Sequence, residues 1–153
     1  MSISNADPVL VEADDTVPDD YHLQDQIGFI LRKANQRHLA IFAARIGDLT
    51  PPQFAALAKL HEVGETSQNQ LGTLIAMDAA TVKGVIDRLK ARGLVGYGRH
   101  EADKRLLMVK LTADGFAMIE RLIPLAAKIT EETLAPLTGR EIGTLMRLLS
   151  KIA

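Results

Sequence analysis

Residues 67–112 carry the signals that most restrict how this chain can fold: two short helices in close succession, then two strand-like segments. The first helix is predicted to begin at Ser67, whose hydroxyl can accept a backbone N–H while Gln70 completes a capping box. The second is predicted to begin after the N-cap Asp78 and to end at Gly93. So short a connection between the helices predicts a helix-turn-helix, and the strands after it predict the winged form of that motif.

The second helix separates two kinds of residue onto opposite faces. Val82, Val85, Ile86 and Leu89 recur at amphipathic spacing and are predicted to face inward. On the other face, small residues at the helix start would let it sink deeply into the major groove of DNA, where a threonine methyl can contact thymine. Lys83 is placed to reach guanine acceptors or phosphate. The predicted reading face consists of Ala79, Ala80, Thr81, Lys83, Gly84 and Arg88.

Polar and basic residues concentrate around this face. In the first helix, Gln68 and Asn69 lie beside Ser67 and have amide side chains suited to phosphate contact. The chain has a net charge of −1, but residues 1–20 hold six acidic residues and no lysine or arginine, so the remainder carries +5. Residues 79–110 hold eight basic and three acidic residues. Positive charge is therefore concentrated where DNA would bind.

The strand-like segments predict a hairpin with a basic tip. Strands are predicted at 94–99 and 106–111, with the tip at 100–105 between them. A narrow minor groove attracts an inserted arginine, and Asp103 is interpreted as the partner that orients Arg105 for that contact. An isolated hairpin of this kind is more often a solvated turn, but its place directly after a helix pair favours contact with DNA. The basic residues of this hairpin are Arg99, His100, Lys104 and Arg105.

Five stretches of the chain follow one known pattern: Leu49-Thr50-Pro51-Pro52-Gln53-Phe54, Val85-Ile86-Asp87-Arg88-Leu89, Arg92-Gly93-Leu94-Val95, Asp103-Lys104-Arg105 and Val109-Lys110-Leu111-Thr112. Through them the chain resembles the MarR family of bacterial transcription regulators, sharply over 49–112 and more loosely over 20–152. The resemblance implies a winged helix-turn-helix, an obligate homodimer formed by the flanking helices, and a wing arginine in the minor groove. It also implies release from DNA by a small ligand, often a phenolic or aromatic carboxylate.

One position departs from the family pattern. Many members have a bulky basic residue where this chain has Gly84. This helix is therefore expected to read different bases and to depend more on Lys83 and the wing.

The segments on either side of the motif are predicted to be helical. Residues 22–46 carry an apolar stripe on a helix too long to be buried by one small domain. Thr50 is predicted to cap the next helix, with Gln53 completing a capping box. Residues 138–152 repeat such a box and carry an apolar face of their own. Two apolar helix faces without a partner predict a two-fold dimer, the alternative being a monomeric helical bundle with a hairpin attached.

The resemblance places an effector pocket where the dimerisation helices meet the DNA-reading lobe. The segment 78–89 also resembles members that govern the breakdown of aromatic acids such as nicotinate or hydroxycinnamates, or of their coenzyme A thioesters. The basic candidates could receive a carboxylate. Alternatively, the arginines are solvated charges or form salt bridges in the dimer. The histidines are then hydrogen-bonded groups of the core or of the interface. The candidate ligand-binding residues are Phe29, Arg32, Arg37, His38, Phe42, Phe54 and His61.

Several classes of function are not expected. The four histidines lie on different predicted elements and the chain has no cysteine, so neither a metal site nor a thiol redox sensor is expected. No nucleophile motif or glycine-rich phosphate loop is present, so no catalytic residue and no cofactor is expected. No apolar run is long enough to span a membrane and residues 1–20 are acidic, which together favour a cytoplasmic protein.

These features predict a mainly α fold with a small β-hairpin wing: a winged helix-turn-helix plus N- and C-terminal dimerisation helices. The expected parts are an acidic flexible arm at 1–20, dimerisation helices within 21–47 and 113–153, and the DNA-binding domain at 48–112. Two interpretations of the arm are open: it is a solvated segment, or it competes electrostatically with DNA. The expected function is a homodimeric regulator of a pseudo-palindromic operator, a repressor released by a small aromatic acid or its thioester. The alternatives are a constitutive architectural DNA-binding protein, and a helical interaction module or enzyme that does not bind DNA.

Overall fold

A computed structural model describes residues 18–153, so most of the predicted acidic arm, residues 1–17, lies outside the described part of the chain. A 3-10 turn at Leu23–Asp25 precedes six helices and three strands. In chain order these are α1 (Ile27–Arg45), α2 (Pro51–Val63), β1 (Thr66–Ser67), α3 (Gln68–Leu74), α4 (Ala79–Ala91), β2 (Val95–Arg99), β3 (Leu107–Leu111), α5 (Ala113–Leu134) and α6 (Gly139–Ile152).

Local capping signals set the helix starts. Thr50 Oγ1 accepts a hydrogen bond from the backbone N–H of Gln53, and the backbone N–H of Thr50 donates in return to the Gln53 side chain. At the start of α4, Asp78 Oδ1 accepts from Thr81 N at 2.7 Å. The box predicted at Ser67 forms only in part: Ser67 Oγ accepts from Gln70 N at 3.1 Å, whereas the Gln70 side chain makes no return bond among the described contacts. Ser67 also closes β1, so its backbone serves the sheet as well as the helix cap.

The wing is a three-stranded antiparallel sheet in the order β1-β3-β2. Arg99 pairs with Leu107 next to the tip of the hairpin, and Val95 pairs with Leu111 at its base. The prediction of two strands was therefore incomplete. The missing strand has only two residues, too few to show the alternation by which strands are recognised. β1 attaches the wing to the start of α3, since Ser67 lies in register with Met108.

One apolar core joins the helix-turn-helix to the wing. All four residues predicted to face inward from α4 are buried, as are Leu57, Leu71 and Val109 from α2, α3 and β3. Ile119 and Leu122 of α5 belong to the same cluster. Full burial of such a side chain is worth about 1.5–3 kcal/mol, so the core holds α4 with its opposite face outward.

The first helix is shorter than predicted. A single helix was expected over 22–46, but α1 begins only at Ile27, after the 3-10 turn, and the N-cap Gln26 is extended with φ −83° and ψ 137°. Periodic apolar residues continue through both parts, which is why the pattern concealed the break. The last helix begins at Thr138 with the predicted capping box.

Both outer helices leave apolar side chains uncovered in the single chain. α1 buries only Phe42 and α6 buries no residue. Ile27 is 61% exposed and Ile152 is 68% exposed. The other large apolar residues exposed on these two helices are Ile30, Leu31, Leu39, Met146 and Leu148.

Candidate nucleic-acid interface and adjacent cavities

The exposed face of α4 carries the residues predicted to read bases. Ala79, Ala80, Thr81 and Lys83 are exposed, and Gly84 is half-buried. Arg88 is exposed too, one turn further along the helix. Because the core holds the opposite face, these side chains share one outward surface. The structure therefore brings the predicted reading residues of α4 together.

Lys83 on this face takes part in a polar network that the sequence did not predict. Its Nζ lies 2.7 Å from Asp87 Oδ2, and Tyr97 Oη donates to Asp87 Oδ1 at 2.9 Å. Tyr97 Oη also lies 3.2 Å from Gln68 Oε1. The network links three elements, namely α4, β2 and the first turn of α3. It was not predicted because it depends on a strand and two helices meeting in space.

Hydrogen bonds and burial fix the protonation of this network. Hydrogen bonds from Lys83 and then Tyr97 lower the pKa of the Asp87 carboxyl. Burial, followed by the hydrogen bond to Asp87, raises the pKa of Tyr97 to about 12. Lys90 adds a cation over the Tyr97 ring, 4.7 Å from its centroid. At neutral pH Asp87 is therefore ionised, and Tyr97 is a neutral hydrogen-bond donor.

The wing tip is organised by hydrogen bonds within it. Asp103 accepts from Arg105 through Nε to Oδ1 at 3.0 Å and Nη2 to Oδ2 at 3.2 Å, so the two residues that the sequence analysis pairs are in contact. His100 Nδ1 accepts from the backbone N–H groups of Ala102 and Asp103, both at 3.1 Å. One ring nitrogen of His100 therefore fixes the shape of the tip. The Arg105 side chain, 91% exposed, projects from this tip. Arg99 and Lys104 are also exposed on the hairpin.

The start of α3 lies beside this surface. Asn69 is exposed, whereas Ser67 and Gln68 are half-buried. Ser67 is used as the helix cap and Gln68 contacts Tyr97. Gln68 and Asn69 are the predicted phosphate contacts among these residues, and Asn69 is the more accessible to DNA.

Two cavities meet at His38. One of about 350 Å³ lies between α1, α5 and α6 and is lined mainly by apolar side chains, with Asn35, His38, Thr130 and Thr133 as polar members. The other, of about 240 Å³, lies between α1, α2 and α5 and contains Phe42 and Phe54 in an edge-to-face contact with ring centroids 6.0 Å apart. His38 Nδ1 is 2.9 Å from Thr133 Oγ1, which fixes the imidazole between the two spaces.

Four of the predicted ligand residues do not line these cavities. Arg37 donates to the backbone carbonyls of Glu132 and Thr133, close to the last turn of α5. His61 contacts Glu120 and the Phe116 ring on another side of α5. The other two, Phe29 and Arg32, lie on the first half of α1, where Lys33 approaches the Phe29 ring at 5.8 Å. His38, Phe42 and Phe54 are the predicted ligand residues that do line a cavity. The sequence pattern could not give the face of α1 that α5 covers.

Two other properties of residues 18–153 bear on the site. They contain no group of three or more His, Asp or Glu side chains placed to hold a metal ion. In the same part of the chain, no helix is both long and apolar enough to cross a membrane.

Comparison with known proteins identifies the family. Residues 49–107 match the MarR family. The chain is 40% identical to the HTH-type transcriptional repressor NicR of Pseudomonas putida, over 86% of this chain and 85% of NicR. The fold matches a probable transcriptional regulator of Pseudomonas aeruginosa with a TM-score of 0.82 and 51% identity, over 86% of this chain and all of the other.

A second solved structure is BpsR of Bordetella bronchiseptica, whose DNA binding is regulated by 6-hydroxynicotinic acid. It matches with a TM-score of 0.83 and 42% identity, over 86% of this chain and 96% of BpsR. The sequence motifs, the three-stranded wing and these likenesses agree. This chain belongs to the MarR family of transcription regulators, which bind DNA and catalyse no reaction.

Proposed function

We propose that this protein is a homodimeric, sequence-specific repressor that leaves its operator when a small aromatic carboxylate, or its thioester, binds beside His38. The observation that carries the proposal is the position of that side chain between two cavities, one formed by α1, α5 and α6 and the other by α1, α2 and α5. NicR is a repressor, and the DNA binding of BpsR is regulated by an aromatic acid.

Charge and shape support DNA as the macromolecular partner. The exposed face of α4 offers Thr81 and Arg88 to base edges, and the wing offers Arg105 at a tip whose shape is fixed by hydrogen bonds. Residues 79–110 hold five more basic than acidic residues, which provides the attraction to phosphate on which such binding depends. Asn69 and Lys104 would then contact the DNA backbone.

The uncovered apolar helices support a homodimer. In the proposed assembly residues 21–47 and 113–153 pair across a two-fold axis, so that Ile27 and Ile152 become buried. Residues 48–112 form the DNA-reading domain of each subunit. Two copies of α4 related by that axis fit a pseudo-palindrome whose half-sites lie about 34 Å apart, one turn of the double helix.

The composition of the larger cavity supports an aromatic acid as effector. Its volume of about 350 Å³ falls in the range of small-molecule sites, and its mostly apolar lining suits an aromatic ring. His38 and Asn35 can donate hydrogen bonds to a carboxylate. Arg37 is engaged by α5 carbonyls, so we assign it the role of fixing α1 against α5 rather than binding the acid. A coenzyme A thioester would need its long arm outside the cavity.

The proposal predicts reciprocal coupling between effector and operator. A ligand that releases DNA must bind free protein more tightly than operator-bound protein, and a coupling of about 1–3 kcal/mol corresponds to about 5- to 150-fold. Calorimetry with benzoate, hydroxycinnamate, nicotinate and 6-hydroxynicotinate, with and without operator, measures it. Equal affinity in both states for every tight-binding acid would overturn the effector part of the proposal and leave the DNA-binding part standing.

Replacement of His38 tests the location of the effector. His38→Leu removes the imidazole from both cavities, and we expect acid binding to weaken by about 10-fold or more, since a hydrogen bond to a charged group contributes about 1.5–3 kcal/mol. Operator affinity without effector should stay unchanged. Arg32→Ala is the matched control, since Arg32 lies on the same helix but lines neither cavity. If Arg32→Ala weakens binding and His38→Leu does not, the acid binds elsewhere on α1.

A further inference from the structure

Two cations share the exposed face of α4, and their surroundings differ. Lys83 lies 2.7 Å from Asp87 Oδ2. The Arg88 side chain makes no hydrogen bond or ion pair with any residue in 18–153. Instead, Arg88 Nη1 lies 3.6 Å from the point that a Cβ on Gly84 would occupy. The guanidinium therefore extends back by one helical turn, over the residue that has no side chain.

We infer that Arg88, seated over Gly84, is the residue with which this protein recognises a guanine in each operator half-site, and that Lys83 instead neutralises Asp87. The inference rests on the proposed DNA-binding function. In this inference, an arginine one turn further along α4 provides the base specificity that a bulky basic side chain at position 84 would otherwise provide.

The Arg88 guanidinium is placed to contact the edge of a base. It lies in a cleft between α4 and the start of α2, lined by Thr50, Pro52 and Thr81 among others. The start of α2 offers no free backbone N–H there, because two prolines lack an N–H and the N–H of Gln53 is capped by Thr50. A phosphate would therefore find no backbone donor at the start of α2. The planar fork of an arginine matches O6 and N7 of guanine in the major groove with two hydrogen bonds.

The surroundings of Lys83 explain why it is the poorer candidate. An exposed ion pair of this kind is weak, so pairing alone would not keep Lys83 from DNA. Asp87, however, stays ionised and is fixed in place by Tyr97. If Lys83 moved to a base, the Asp87 carboxylate would face DNA phosphates without its cation. Lys83 therefore contributes most to DNA binding when it stays paired with Asp87. Loss of Lys83 should weaken binding to all DNA sequences alike.

The test compares two variants on a library of operators that places each of the four bases at every position of a half-site. Arg88→Lys keeps the charge but removes the fork, so we expect the preference for guanine at one position per half-site to fall by about 5- to 150-fold. Binding to unrelated DNA should change by less than about 3-fold, since the charge is retained. Lys83→Gln should lower affinity for all sequences with the base preferences unchanged.

A third variant fills the space beside residue 84 that the Arg88 guanidinium occupies. Gly84→Leu places a side chain where the Arg88 guanidinium lies, so it should remove the same guanine preference as Arg88→Lys. Circular dichroism confirms folding in each case. The inference is overturned if Arg88→Lys keeps the guanine preference, or if Lys83→Gln alone removes it. Absence of any base preference in the unsubstituted protein would overturn the proposed function itself, which distinguishes the two failures.

Discussion

Replacing Gly115 with alanine should destabilise the fold by about 3 kcal/mol or more, since overpacking against rigid groups reaches or exceeds that cost. Gly115 lies in the first turn of α5, where a Cβ would come within 1.9 Å of Leu94 O and 2.9 Å of Leu94 C. Both neighbours are backbone atoms, so no rotamer change relieves the clash. Urea unfolding followed by circular dichroism measures the free energy of unfolding.

Gly84→Ala is the matched control for this substitution. Gly84 lies inside α4, where the added Cβ meets only the mobile end of Arg88 at 3.6 Å. Alanine should therefore stabilise the helix by about 0.5–1 kcal/mol through its better helix propensity. If Gly115→Ala were as stable as the unsubstituted protein, α5 would not approach the start of the wing as closely as described.

In the proposed mechanism, the same contact would let α5 link the effector to DNA. Thr112, the N-cap of α5, donates through Oγ1 to Gly93 O at 2.6 Å and through its backbone N–H to Leu94 O at 3.1 Å. Those acceptors lie between the end of α4 and the start of β2. Near its other end, α5 lines both cavities beside His38. A shift of α5 caused by a ligand would therefore reach the reading helix and the wing through one tight joint.

The elements that follow from local signals were predicted well. Helix starts at Thr50, Asp78 and Thr138 depend on groups within three residues of each other, and the structure has all three. Gly93, with φ 72°, ends the α4 segment as expected. The inward face of α4 follows from its spacing alone, because no other arrangement buries four large apolar side chains together.

What could not be predicted depends on contacts between distant segments. β1 is a strand only because β3 lies beside it. Asp87 and Tyr97 meet because β2 packs next to α4, and nothing in their spacing along the chain indicates it. Arg37 looked like a carboxylate receptor, but its guanidinium is taken up by carbonyls of α5. The missed residues of the larger cavity, such as Asn35 and Thr133, have no sequence signal at all.

Removal of the wing arginine should have the largest effect on DNA binding. Arg105→Ala should weaken operator binding by about 1–3 kcal/mol per wing, and by about 2–6 kcal/mol in a dimer whose two wings act independently. Asp103 orients the guanidinium in advance, which reduces the entropy lost on entering the minor groove. Gel-shift titration at several salt concentrations measures both the affinity and the number of phosphate-linked charges lost.

The orienting role of Asp103 can be separated from the charge of Arg105. Asp103→Ala keeps the cation but frees it, so it should lose only part of the affinity lost in Arg105→Ala. Hydrogen bonds from the Arg105 side chain and then its backbone lower the pKa of Asp103. The pair therefore persists as the pH falls to the usual aspartate range and breaks only below it, so its contribution should be constant from pH 5 to 8. As a control, Arg121→Ala should leave operator binding unchanged; Arg121 lies on α5 and its side chain makes a long contact of 3.7 Å with Asp48. A folded Arg105→Ala dimer with undiminished affinity would show that the wing does not enter the minor groove.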